Sequence, residues 1–414
     1  MTRALLLGLL LLLLPWCSAW AGAGDGEDMD WPQVIAKLQQ AVYERPGLSR
    51  ARQQLATAYN NYGVSLGNEG QWEMAAQQFQ DALRLDRDNA QFKANLSGIY
   101  LNQAYDAYKQ HQLSQAFQRA QDAIALNPEQ AHSHALLGEI YYSRQQLKEA
   151  KAAWERAVAL DPSLQEVQGR LAQVSEELPV ESKFERLSQA YFDLRYEEQL
   201  RRPVGFDIRD ALLSARRRVG GDFAYWPKYK LVVLIYSAEQ FRALRQETPE
   251  WVAGQFDGKI RVPLPGAQMN TAMVTQILFH EYTHALIHDL AKGRCPSWLN
   301  EGLAEYEGRS QLRGAVPRLA KAAQENRLVP WLELSDHIST ALPAEDVGLA
   351  YEESYSAVAY LVERFSFWRI RRVLKAIGDG QPWDTVLATE LRTKVPRLES
   401  QWRQWLPEFL ATHQ

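Results

Sequence analysis

The stretch Leu278-Phe279-His280-Glu281-Tyr282-Thr283-His284 sets two imidazoles four residues apart, with a carboxylate directly after the first. On an α-helix, positions four apart lie about 40° apart around the axis and one turn along it. His280 and His284 therefore point their rings at one place. Neutral imidazole is a good zinc ligand, and two of them on one turn make half of a tetrahedral site. Glu281 lies beside the pair without belonging to it, where it can take a proton from a water activated by the metal. A surface helix carrying two solvated histidines is the competing reading of the same spacing.

Hydrolysis at such a site needs a third protein ligand and an open position for water. His288 continues the four-residue series, but on a straight helix it lies about 12 Å along the axis from His280, too far to share one ion. It is expected to be a supporting or surface residue. The metzincin layout requires a glycine three residues after His284 and a histidine three further on. Ile287 and Leu290 stand there, which excludes it. The remaining candidate is Glu301 in Trp298-Leu299-Asn300-Glu301-Gly302-Leu303-Ala304-Glu305-Tyr306. Sixteen residues separate it from His284, enough to end one helix, turn and lay a second alongside. Glu305, one turn further on the same face, suits a carboxylate that accepts the free ring N–H of a ligand histidine. A solvated acidic face is the alternative. It is disfavoured because Trp298, Leu299, Leu303, Ala304 and Tyr306 make this a buried helix, where an acidic pair needs a partner.

HEYTH followed by WLNEGLAEY resembles the HExxH and WLNEG signatures of gluzincin zinc metallopeptidases, the aminopeptidase-type enzymes and their peptidase-MA-like relatives. The resemblance covers roughly residues 185–365 and is concentrated in these two motifs. It implies one zinc ion held by His280, His284 and Glu301, with Glu281 as general base and Glu305 behind a ligand histidine. Aminopeptidase-like members also use a downstream tyrosine in a Y-E-x-G setting to stabilise the oxyanion. Tyr351-Glu352-Glu353-Ser354 is similar, fifty residues after Glu301, so Tyr351 is the candidate and Tyr355 the reserve. Packing tyrosines are the alternative for both. The G-A-M-E-N stretch that holds a free amino terminus is absent. Gly266-Ala267-Gln268-Met269-Asn270 lies near its place without the glutamate, which favours an endopeptidase. The segment 258–265 is a candidate edge strand for receiving substrate by β-addition, in which either Val262 and Leu264 offer their N–H groups or Pro263 and Pro265 block pairing beyond Val262. A non-catalytic scaffold with a degenerate peptidase fold is the rival reading, and hydrolysis of a cell-envelope crosslink or other amide a third.

The elements that must position these residues follow from the rest of the chain. With 414 residues, two folded domains are expected. The net charge of −4 gives no electrostatic case for nucleic acid or an anionic membrane surface. Residues 1–21 read as a cleavable secretory leader: Arg3, an apolar run from Ala4 to Leu14, and Ala19-Trp20-Ala21 as the cleavage site. A retained anchor is the alternative, and Trp16 before Cys17 disfavours a lipoprotein. With the leader removed, Cys295 is the only cysteine, expected to be a buried packing residue. No transmembrane segment is expected in the mature chain. Export, most naturally to a bacterial periplasm, is the expected address.

From about Ser49 to Leu178 the sequence repeats. Leu126-Asn127-Pro128 and Leu160-Asp161-Pro162 lie 34 residues apart. Leu85-Asp86-Arg87 lies 41 before Leu126, which implies a seven-residue insertion. The period, with small residues at helix crossings and aromatics between them, resembles the tetratricopeptide repeat. Such an array, all-α over residues 22–179, is expected to bind a protein partner or substrate peptide. Leading and closing helices are expected at 30–48 and 163–178, with Pro179 ending the array. Residues 180–414 are read as an α+β domain with a helical C-terminal part. Its strands are expected at 191–196, 231–236 and within 254–264. Its helices are expected at 207–219 and 237–245, from Asn270 or Thr271 to Lys292 with Gly293 as stop, and at 298–307, 354–365, 367–377 and 402–412.

Overall fold

In the computed structural model of the protein, the described residues are 29–197, 202–244, 254–264, 271–310, 314–338 and 343–413. The leader, Cys17 and the 266–270 stretch lie outside them. The chain divides into two compact units between Ser182 and Lys183.

The first unit is a stack of antiparallel helices: α1 (Trp31–Glu44), α2 (Ser49–Asn68), α3 (Trp72–Leu85), α4 (Ala90–Lys109), α5 (Leu113–Leu126), α6 (Ala131–Ser143), α7 (Leu147–Leu160) and α8 (Gln165–Glu181). Small residues sit where helices cross. Ala75, Ala82, Ala104, Ala116, Ala120, Ala123, Ala150 and Ala157 are wholly buried. A Cβ on Gly138 would lie 2.4 Å from the Trp154 ring, and one on Gly63 would lie 2.9 Å from Phe79. At the corresponding positions of the middle unit, Ala104 and Ala120 are buried in one cluster.

The seven extra residues all lie in α4. The turns α2–α3, α4–α5 and α6–α7 each hold three residues, whereas α4 has 20 residues and α6 has 13. Seven residues make about two turns, so the helix lengthens without rotating its buried face. Pro179 does not end the array: α8 runs on to Glu181. The reason is anchoring on both sides of the proline. Tyr142 Oη donates to Glu177 at 2.8 Å, and Gln145 Nε2 donates to Glu181.

The second unit opens with β1 (Glu185–Ser188) and β2 (Phe192–Tyr196), then α9 (Arg202–Phe223), β3 (Leu231–Ser237), α10 (Ala238–Leu244), β4 (Gln255–Phe256) and β5 (Ile260–Leu264). Among the described residues these strands form one sheet in the order β1-β2-β3-β5-β4. β2, β3 and β5 run parallel, and β1 and β4 run antiparallel to their neighbours. Alternate residues Phe192, Leu194, Leu231, Val233, Ile235, Ile260 and Val262 face one core, as the two-residue period of a strand requires. β5 pairs along its length with β3 on one side, whereas on the other β4 covers only Ile260 and Arg261, so among the described residues the expected edge is covered over its first two residues and Val262–Leu264 carry no paired strand there.

The core face of the sheet is covered by α11 (Thr271–Ala291), which is apolar on nearly every side and therefore central. It ends where expected. Gly293 adopts φ 71° and its N–H bonds His288 O at 3.1 Å, a closure that suits glycine. The second site helix is α12 (Ser297–Arg309). It is followed by α13 (Pro317–Gln324), a 3₁₀ turn at Leu334–His337, α14 (Ala344–Gly378), α15 (Trp383–Glu390) and α16 (Val395–Thr412). Trp298 lies at the root of α12 against Trp331 and Trp383, with ring centres 5.4 and 5.6 Å away.

The helices expected at 354–365 and 367–377 are the two arms of α14, which meet where Ser366 leaves helical geometry with φ 64° and ψ 160°. That region is essentially restricted to glycine and costs about 1–3 kcal/mol elsewhere. Ser366→Gly is expected to raise the unfolding free energy by about 1 kcal/mol in chemical denaturation. A variant no more stable than the parent would show the kink to be unstrained.

Glu353 on α14 is wholly buried, and its carboxylate accepts from Val329 N at 3.2–3.3 Å. Burial pushes it up to about 8, with Glu399 adding to the rise and Val329 and Arg403 opposing it. A carboxyl raised on folding binds more protons folded than unfolded between about pH 4.5 and 8. Its stabilisation is complete below about pH 4.5 and is lost as the pH rises through 8. Glu353→Gln keeps the Val329 bond and removes the titration. The variant is expected to be the more stable form above pH 8, by a few kcal/mol, and the loss of stability between pH 5 and 8 should shrink in urea titrations.

Candidate metal centre

α11 and α12 lie side by side and bring the sequence-separated donors together. His280 and His284 project from one face of α11, with their Nε2 atoms 3.1 Å apart. Glu301 Oε2 on α12 lies 3.5 Å from His280 Nε2 and 3.4 Å from His284 Nε2. These three residues form the one group able to hold a metal ion among the described residues. All three side chains are largely enclosed yet retain some exposure, 17%, 10% and 17%.

The far ring nitrogens are engaged too. His280 Nδ1 lies 3.3 Å from Glu305 Oε1, and His284 Nδ1 lies 3.1 Å from Asn300 Oδ1. Both partners are acceptors, so a neutral ring at either position would carry its proton on Nδ1 and turn its Nε2 lone pair towards the centre of the triangle. Asn300 went unforeseen. The signal was a polar residue next to Glu301 on a helix otherwise rich in apolar residues.

Charge is arranged around that triangle. Burial disfavours the charged form of each group, and the partners outweigh it. Hydrogen bonds to Glu301 and Glu305 hold His280 well above the usual imidazole range, and Glu301 raises His284. His284 and His280 hold Glu301 far below the usual carboxylate range despite its burial. Glu281 differs. Burial raises it, Glu301 and Asp257 add to the rise, and the two histidines only partly oppose it. It is 3% exposed, and its Oε2 has no hydrogen-bond partner among the described residues. A Cβ on Gly254 would lie 2.5 Å from Glu281 Oε1, so this glycine leaves the space that the carboxylate occupies.

Tyr351, on α14, reaches the same place. It hydrogen-bonds Glu301 and feels the charges of Glu301, Glu305 and Glu281, which with burial push its hydroxyl well above the usual phenol range. Tyr355, one turn on, points elsewhere. Its hydroxyl meets His413 Nε2 at 3.2 Å and its ring packs on Phe409. Glu352 and Glu353 bind the backbone at Leu319 and Val329 and fix the helix that carries Tyr351. His288 stands apart with half its side chain exposed, 3.9 Å from Asp289. Cys295 is half-buried against the core rather than enclosed, and burial raises its thiol.

The donor set fits a zinc ion. With bonds of about 2.0–2.1 Å, neighbouring donors of a tetrahedral site lie about 3.3–3.4 Å apart. The triangle of 3.1, 3.4 and 3.5 Å has that size. The raised histidines show that the carboxylates favour positive charge at this point.

Residues 230–408 match the family model of the peptidase MA superfamily. The chain carries a peptidase MA superfamily domain. It follows tetratricopeptide repeats, matched at residues 56–89 and 131–164. Helices α11, α12 and α14, which carry the side chains of this centre, lie inside the matched span. No curated protein matches the chain. Among solved structures, the first repeat domain of Spaghetti (RPAP3) bound to an HSP90 peptide aligns at 21% identity and a TM-score of 0.24, over 31% of this chain and 95% of that one. The repeat domain of Arabidopsis OM64 aligns at 18% and 0.24, over 30% and 96%. MamA from Desulfovibrio magneticus aligns at 19% and 0.24, over 36% and 87%. Tetratricopeptide repeats are protein-interaction modules. No described helix is long and apolar enough to cross a membrane.

Proposed function

We propose that the C-terminal domain is a zinc-dependent peptidase, acting as an endopeptidase, in which His280, His284 and Glu301 hold one zinc ion. The donor triangle, closed by two helices and matched in size to a tetrahedral site, carries this reading. A zinc ion there supplies Lewis-acid polarisation of a carbonyl and lowers the pKa of water towards about 7.

The chain's own residues do the rest. Asn300 and Glu305 fix the ligand rings in the tautomer that binds metal. Glu281 takes the proton of the attacking water and passes it to the leaving amine. Burial raises its carboxyl above the ordinary range, which makes its carboxylate the stronger proton acceptor. Tyr351 keeps its proton at neutral pH and donates a hydrogen bond to the carbonyl oxygen as that atom gains charge. The absence of a glutamate in 266–270 supports internal cleavage over removal of terminal residues. The repeat array recruits a protein substrate or partner. The leader pattern supports export, most naturally to a bacterial periplasm.

The test is metal removal. Protein purified without chelators is expected to hold about one zinc per chain and to cleave an unstructured protein such as casein. Dialysis against a chelator should abolish cleavage, and zinc should restore it. Cleavage that survives complete metal removal would reject the proposal.

A further inference from the structure

We infer that Arg309 is a positioning residue for the metal centre, clamping the Glu305 carboxylate so that its other oxygen faces His280. The inference rests on the zinc reading above. Glu305 divides its two oxygens. Oε1 lies 3.3 Å from His280 Nδ1, and Oε2 accepts from Arg309 Nε at 2.6 Å. Arg309 stands one turn beyond Glu305 on α12, at the spacing that lets the two side chains meet. Both are largely enclosed, 17% and 16% exposed, so the pair is poorly screened by solvent.

Arg309 is itself held. Its guanidinium carbon lies 4.9 Å from the centre of the Tyr355 ring. Tyr355 is fixed in turn by Tyr306, Phe409 and His413. A long arginine stem loses much rotamer freedom when ordered, and stacking on an immobile ring offsets that loss. Orientation thus passes from the aromatic cluster through Arg309 and Glu305 to His280. The other ligand needs no such clamp. Asn300 has a short side chain with one rotatable bond fewer than glutamate, and it reaches His284 directly.

The experiment is zinc affinity of the full chain, measured by competition with a chromophoric chelator. Arg309→Met keeps an apolar stem against Tyr355 and removes the clamp. It is expected to weaken zinc binding about 10-fold, the lower end of the range for groups that orient a metal ligand. Glu305→Gln is expected to weaken it about 10–100-fold. In the Glu305→Gln background, Arg309→Met should then cost nothing further, because the clamp has no carboxylate to hold. Arg309→Lys keeps the charge without the planar fork and should fall between, at about 3-fold. Unchanged affinity in Arg309→Met, or an equal loss with and without Glu305, would overturn the inference. If Arg309→Met does not fold, wild-type affinity in Arg309→Lys overturns it instead. Zinc binding by the parent protein with no change in Arg309→Met defeats this inference alone. A parent protein that takes up no zinc defeats the zinc reading, and this inference with it.

Discussion

Glu281→Gln is expected to leave zinc content unchanged and to lower peptide hydrolysis by about 10²–10⁴-fold, the range for losing a positioned general base. The substitution keeps the shape and one acceptor oxygen but removes the group that accepts a proton. Zinc should stay because the donor triangle is His280, His284 and Glu301, and Glu281 lies outside it. Little can replace the lost base. Glu281 is 3% exposed, and the neighbouring Gly254 contributes no side chain. Glu301 and Glu305 are already engaged with the histidines and with Arg309. Metal analysis together with turnover on a protein substrate decides the matter. Near-parental turnover with zinc present would remove Glu281 from the reaction.

Gly302→Ala is expected to damage both the fold and the site. The added Cβ would lie 2.4 Å from Ser354 O and 2.7 Å from Val358 Cγ2 on α14. The first of these is backbone, which cannot step aside, so α12 and α14 must separate. Overpacking of this kind costs about 1–3 kcal/mol. Glu301 is the residue before Gly302 on α12, and Tyr351 lies one turn before Ser354 on α14, so the same displacement pulls the tyrosine from the ligand it hydrogen-bonds. Unfolding curves should shift to lower urea. At temperatures where the variant is still folded, turnover should fall by more than zinc affinity does. A variant with parental stability would mean that the two helices are not pressed together at this glycine.

Much of the centre was legible because its chemistry is local. His280 and His284 share a helix face through spacing alone, and Glu301 follows on the next helix of the same hairpin. Gly293 marked the stop between them, where a left-handed backbone is needed. What escaped depends on the rotation of side chains about the helix. Asn300 adjoins Glu301 and Arg309 lies one turn past Glu305, but only the roll of α12 shows that they point at His284 and Glu305. Tyr351 and Tyr355 lie one turn apart, and only the setting of Tyr351 before Glu352 ranked it first in sequence. His413, at the far end of the chain, claims the second. The partial cover of β5 by β4 escaped because a two-residue strand has no periodicity to read. The repeats were legible throughout, since a fixed period needs no tertiary information. Pro179 misled because the buried carboxylates that hold the helix together around it lie outside any local rule.

The hairpin of α11 and α12 also bears on the order in which the protein becomes competent. All three candidate donors, the proposed base and the partners of both rings fall within one pair of adjacent helices, so bringing them together closes only a short loop. Tyr351 comes fifty residues after Glu301 and requires α14 to dock. Short closures cost less chain entropy and form sooner than long ones. A nascent chain is therefore expected to assemble the candidate donors before the Tyr351 hydroxyl joins them. On the proposed function, hydrolytic power would then arrive last, once α14 has docked.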